Sequence, residues 1–199
     1  EEIDEFLTSK IEQALDEEDF YSALTLMIVM LGFCRDSSQR EMGLRFCAEV
    51  ENMFDRMGLH DTLEYATSLI NVANVYRAFG FYDKAMDAFR TVELIYKAKL
   101  PVGEFNYASL YNNWSLLYQE IGDFKSAYNM LKRALSVVDM YERAVIQQAT
   151  TRCNLAATLL HMSREASEDN TEDGVISEQY YDEAIKYLKE SLDIFEADG

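Results

Sequence analysis

Of 199 residues, 49% are hydrophobic and 13% aromatic, enough for a substantial core, while eight glycines and the single proline Pro101 are too few breakers for the many turns of an all-β chain. The net charge of −18, with no basic cluster, argues against nucleic acid and against an anionic membrane surface as partner. Cys34, Cys47 and Cys153 stand far apart, at neither metal nor disulfide spacing, and read as reduced core thiols in a cytoplasmic setting.

The chain opens Glu1-Glu2-Ile3-Asp4-Glu5, the opposite of a signal peptide's basic start, and its lack of an initiator methionine fits a piece of a longer chain. Residues 3–15 predict a helix with Phe6, Leu7, Ile11 and Leu15 on one face, a capping helix within 1–17. A second helix is expected over about 20–35, with Gly32 as its small contact residue. Its apolar stretch is too short to cross a bilayer.

Further along, an internal period fixes the organisation. Residues 66–85 align without gaps on 108–127, a shift of 42, through Ala66/Ala108, Asn71/Asn113, Ala73/Ser115, Tyr76/Tyr118, Gly80/Gly122, Tyr82/Phe124 and Ala85/Ala127. Ala73 and Ser115 are small where a second helix must approach, and Tyr76 and Tyr118 follow on the same face. Gly80 and Gly122 supply the left-handed residue that ends the first helix of each pair. Phe89, Val92, Leu131 and Ala134 continue the apolar stripe of the second helices. Moving back 42 places puts Gly43, Cys47, Val50 and Met53 on the same stripe, which gives a degenerate repeat over 18–58. A competing register reads Asp19 to Ala23 as the start of a second helix; the downstream spacing favours the first register.

A third copy begins at Ala149, with Asn154, Leu155, Ala156 and Leu159 matching at a shift of 41. Residues 163–179 then form an acidic, polar insertion that predicts a locally disordered loop, after which Tyr181, Ala184, Leu188 and Ser191 resume the second helix. The expected layout is one solenoid domain over 1–199, with repeats at 18–58, 61–100, 103–141 and 143–197. Together these give an all-α chain of about nine helices.

The pattern Gly-x-aromatic-x-x-Ala, with the small residue and tyrosine upstream, resembles a tetratricopeptide repeat. Its 42-residue period is similar to the repeats of kinesin light chains and related bacterial proteins. The resemblance covers roughly residues 20–197. It implies antiparallel helix pairs stacked in a right-handed α-α superhelix whose first helices line a concave, partner-binding face. Trp114 replaces the aliphatic Val72 and Leu155 of its sister copies and reads as core.

Asn71, Asn113 and Asn154 recur at one place in three first helices, two positions before the small residue, on the side turned toward the groove. An amide both donates and accepts, as holding a peptide backbone requires, and the resemblance implies that use. The bland alternative is a ladder joining neighbouring helices. Asn74, Arg77, Asn112, Leu116 and Gln119 project nearby and complete the candidate site. Arg77 suits a ligand carboxylate or, equally, an ion pair with Glu120 or Asp83.

Catalytic machinery is not expected. His60 lies in a link and His161 ends a helix, neither with a companion at ligand spacing, and there is no phosphate loop or nucleophile elbow. No cofactor, metal or catalytic residue is therefore assigned. The expected role is a non-catalytic protein- or peptide-binding scaffold. Its alternatives are a peptide-sensing regulatory domain of a larger protein and a homo-oligomer formed through Ile194 and Phe195 of an uncapped last helix.

Overall fold

The computed structural model describes residues 2–168 and 174–198. Among these residues are nine α-helices and no strand: α1 (Glu2–Asp16), α2 (Phe20–Asp36), α3 (Arg40–Met57), α4 (Leu63–Ala78), α5 (Tyr82–Lys99), α6 (Asn106–Glu120), α7 (Phe124–Val138), α8 (Val145–Glu168) and α9 (Gly174–Asp198). They fall into two units, residues 1–99 with α1 to α5 and residues 100–199 with α6 to α9.

In the first unit, helix starts and stops follow local chemistry. Asp19 Oδ1 accepts the Ser22 amide at 3.1 Å to open α2, and Thr62 Oγ1 accepts that of Tyr65 at 3.2 Å to open α4. A single left-handed residue, Ser38, turns α2 into α3, and Gly80 at φ 79° turns α4 into α5, whereas five residues separate α3 from α4. The tight turn and the longer link before it mark α4–α5 as a helix hairpin, whereas α2 is joined by the same kind of three-residue turn to both neighbours, with Glu18 left-handed on the α1 side and Ser38 on the α3 side. The start of α2 nonetheless repeats that of α7: Asp123 caps Ser126 as Asp19 caps Ser22, and Ala23 and Ala127 are both fully buried.

Phe46, Cys47, Val50 and Met53 on α3 are buried at the positions of Ala88, Phe89, Val92 and Ile95 on α5, one period apart. The small contact residue of this unit is not Gly32, which has nothing within 4 Å of where a Cβ would stand. It is Gly43, whose Cβ would meet Phe79 at 3.0 Å, Cys34 at 3.2 Å and Val75 at 3.3 Å.

The second unit pairs α6 with α7 through Gly122 (φ 80°) and α8 with α9; α8 also packs on α7 and touches α6. A shift of 41 superposes buried on buried along α6 and α8: Ala108/Ala149, Leu110/Thr151, Trp114/Leu155, Ser115/Ala156 and Leu117/Thr158. Trp114, only 4% exposed, is core. Each fully buried leucine in these seams contributes about 1.5–3 kcal/mol against its exposed state. The insertion read as a disordered loop over 163–179 is helical at 163–168 and 174–179, and 169–173 lie outside the described residues. The Ser163 hydroxyl bonds the Ser177 carbonyl at 2.9 Å and Ser167 Oγ meets Ser177 Oγ at 2.6 Å, so serines that suggested a loop join two lengthened helices.

Candidate functional site

Helix α4 carries Asn71, Asn74 and Arg77. Asn71 is half-buried and donates from Nδ2 to the Thr67 carbonyl at 3.2 Å, Asn74 is 5% exposed, and Arg77 is half-buried. Helix α6 carries Asn112, Asn113, Leu116 and Gln119, all half-buried, and α8 carries Asn154. By the burial register, Asn71, Asn113 and Asn154 occupy equivalent helical positions, but their bonds differ. Asn113 donates to its own helix, to the Ser109 carbonyl at 2.8 Å, as Asn71 does to Thr67. Asn154 instead donates to Asn112 Oδ1 at 3.3 Å.

Asn112 is the centre of a polar ladder, the kind of helix-to-helix bonding that the sequence offered as the alternative for Asn71, Asn113 and Asn154, with Asn112 placed only beside them. Its Nδ2 donates both to the Ala108 carbonyl at 3.1 Å and to Thr151 Oγ1 at 2.9 Å, while its Oδ1 receives Asn154. Gln119 Nε2 adds a rung to Thr158 Oγ1 at 2.8 Å. Asn112 thus spends one N–H on its own helix and gives the other, together with its oxygen, to the α6–α8 contact, to which Asn154 gives one N–H. The clue in the sequence was the 42-residue spacing of Asn112 and Asn154 beside the 41-residue spacing of Asn113 and Asn154.

Above this ladder lies a groove of about 260 Å³ lined by Phe105, Ala108, Ser109, Asn112, Asn113, Gln147 and Thr150. None of these residues is ionisable. Residues 106–119 contain no charged side chain, nor do 145–151, in a chain that is 27% charged. The groove therefore offers amides, hydroxyls and one aromatic edge, chemistry that matches uncharged peptide groups and not a carboxylate or phosphate.

A second groove, of about 340 Å³, lies in the first unit, between α2, the end of α3 and the start of α4. Tyr21, Leu24, Ile28, Phe54, Met57 and Leu59 make it mostly apolar, and sequence reasoning missed it because its walls come from three helices. Beside α3, α4 and α5 sits a buried cluster of titratable groups. Burial raises the Glu51 carboxyl above the ordinary glutamate value, against the opposing pull of the Lys84 ammonium and a bond to Tyr76. Burial likewise pushes the Cys47 thiol up to about 12. Cys34 is also buried and raised by desolvation, but Cys153, on α8 with Ser191 Oγ of α9 3.3 Å away, is exposed, contrary to its reading as a core thiol.

His161 does not end a helix. It lies within α8, stacked on Phe124 with ring centroids 4.6 Å apart and planes 3° from parallel. His60, in the α3–α4 link, meets Tyr65 edge-on at 5.1 Å and lies 3.8 Å from Asp55. Among the described residues no cluster of His, Cys, Asp or Glu is arranged to hold a metal, and no helix is long and apolar enough to cross a membrane.

The tetratricopeptide repeat family model matches residues 108–137, which span most of α6 and α7. No curated protein matches the chain. Among solved structures, BtubC (BKLC) from P. vanneervenii is similar at 15% identity and a TM-score of 0.71, over 97% of this chain and 80% of that one. The nearly identical TPR-like repeats of a Podosopora anserina putative kinesin light chain are similar at 12% identity and a TM-score of 0.56, over 87% of this chain and 92% of that one. At these identities the likeness is one of fold.

Proposed function

We propose that this tetratricopeptide-type repeat protein is a non-catalytic scaffold that holds an extended peptide segment of a partner against the first helices of its pairs. The observation that carries the reading is the uncharged groove between α6 and α8, floored by Ala108 and walled by Asn112, Asn113, Gln147 and Thr150. A peptide backbone has one donor and one acceptor per residue, and amide side chains answer both. Asn113, Asn154 and, in the first unit, Asn71 are the contacting residues of the reading. Leu116, Gln119, Asn74 and Arg77 flank them, and Asn112 supports them. Buried, unoxidised Cys34 and Cys47 suit a reducing, cytoplasmic compartment.

The test is a peptide array probed with the purified chain, followed by titration of the best binders. Each backbone-to-amide bond contributes about 1 kcal/mol, so Asn71→Ala with Asn113→Ala and Asn154→Ala weakens binding on the order of a hundredfold. The helical circular dichroism signal should persist. Undiminished affinity in the triple variant, or no peptide bound by the natural sequence, sinks the reading.

A further inference from the structure

The outer face of α9 carries an apolar stripe at Tyr181, Ile185, Leu188, Leu192 and Phe195, spaced four, three, four and three residues apart, the seam a helix offers to another helix. The neighbouring face, Ala184, Tyr187 and Ser191, is buried. The outward stripe is less covered: Tyr181 is 52% exposed, Leu192 61% and Phe195 51%, with Ile185 and Leu188 half-buried between them. Helix α7 shows what such a stripe does when it is covered. Aligning buried Ala127 with buried Ala184 places Phe124, Tyr128, Leu131, Leu135 and Val138 on those same five positions. There Phe124 stacks on His161 of α8, Tyr128 donates to Glu183 of α9 at 2.9 Å, and Leu131 and Val138 are fully buried. The same pattern is thus a packed interface on α7 and an open one on α9.

Charge decides what fits. Helix α9 holds seven acidic residues against Lys186 and Lys189, a net of −5. The other end helix, α1, exposes Ile3 and Phe6 but carries five acids against Lys10, a net of −4, so stacking a second copy end to end opposes like charges. We propose that the outer seam of α9 docks a basic amphipathic helix of another protein, laid along α9 as α8 lies along α7. This surface is separate from the α6–α8 groove and stands or falls independently of it.

The probe is a synthetic 18-residue amphipathic helix with a leucine seam and lysine flanks, followed by fluorescence anisotropy on the full chain. Its controls are the glutamate-flanked twin and a scrambled peptide of equal positive charge. The expected result is binding of the lysine-flanked helix at least tenfold tighter than either control, weakened at least tenfold by Leu192→Glu with Phe195→Glu and unchanged in the Asn113→Ala, Asn154→Ala variant. Circular dichroism melting of the glutamate variant checks that it folds; should it not, Leu192→Ser with Phe195→Ser takes its place. Equal binding of the scrambled peptide, indifference to the α9 substitutions, or sedimentation showing that this seam pairs two copies of the chain overturns the proposal.

Discussion

Gly43 and Gly32 carry opposite predictions although both are glycines within helices. A larger side chain at Gly43 must push into Phe79, Cys34 and Val75, so Gly43→Val should lose about 1–3 kcal/mol in urea unfolding. Gly32 faces open space, and Gly32→Ala should gain about 0.5–1 kcal/mol by lowering the backbone entropy of the unfolded chain. The period led the eye to Gly32 because smallness is visible in a sequence, but the neighbour that demands it is not. The same blindness applied to thiols: Cys153 sits in an apolar pattern like Cys34 and Cys47, yet only it is exposed. A chromogenic disulfide reagent should label one thiol per native chain and three after unfolding. Glu51 titrates in the direction opposite to a salt-bridged acid. Its folded value is raised, so its protonated form favours the fold, and the benefit present in acid is lost as pH rises through the folded value. Glu51→Gln should therefore raise the melting temperature at neutral pH and flatten its decline from weakly acidic pH upward.

Helices were the legible elements, because starts such as Asp123 with Ser126 and stops such as Gly80 and Gly122 are encoded within a few residues. Bonds between helices were not. Asn112 looked like one more groove residue, and its bonds make it the brace between α6 and α8. Asn112→Ala should cost about 1–3 kcal/mol by orphaning partners around Thr151 and Asn154, a stability loss that Asn113→Ala does not share. Arg152 is the other brace: 13% exposed, it reaches Asp139 at 2.9 Å at the end of α7 and Glu190 at 3.1 Å on α9. Because both carboxylates keep access to water, Arg152→Met should cost about 1–2 kcal/mol in chemical denaturation, short of the penalty for breaking a sealed ion pair. The insertion at 163–179 misled for a related reason. Polar composition predicts exposure, and Arg164, Glu165 and Ser167 satisfy that as well on a helix as in a loop.

At the scale of the chain, charge is sorted by element. Residues 65–76 of α4 and 106–119 of α6 have no charged side chain, while α5 and α9 are dense with them. A net charge of −18 repels itself, so raising salt from about 10 mM to about 500 mM should raise the melting temperature as the Debye length shrinks from about 30 Å to below 10 Å. This sorting could be read directly from the sequence, and it made the overall helical architecture easier to read than the pairing of its first repeat. The charge-free stretch at 20–34 in α2 has a consequence outside the folded state. Released during unfolding, it is a sticky fifteen-residue strip with no gatekeeper of its own, and mutual repulsion between whole chains is what keeps such strips apart. Near pH 4.4, where that repulsion vanishes, recovery after heating should fail through precipitation even though the native fold persists there.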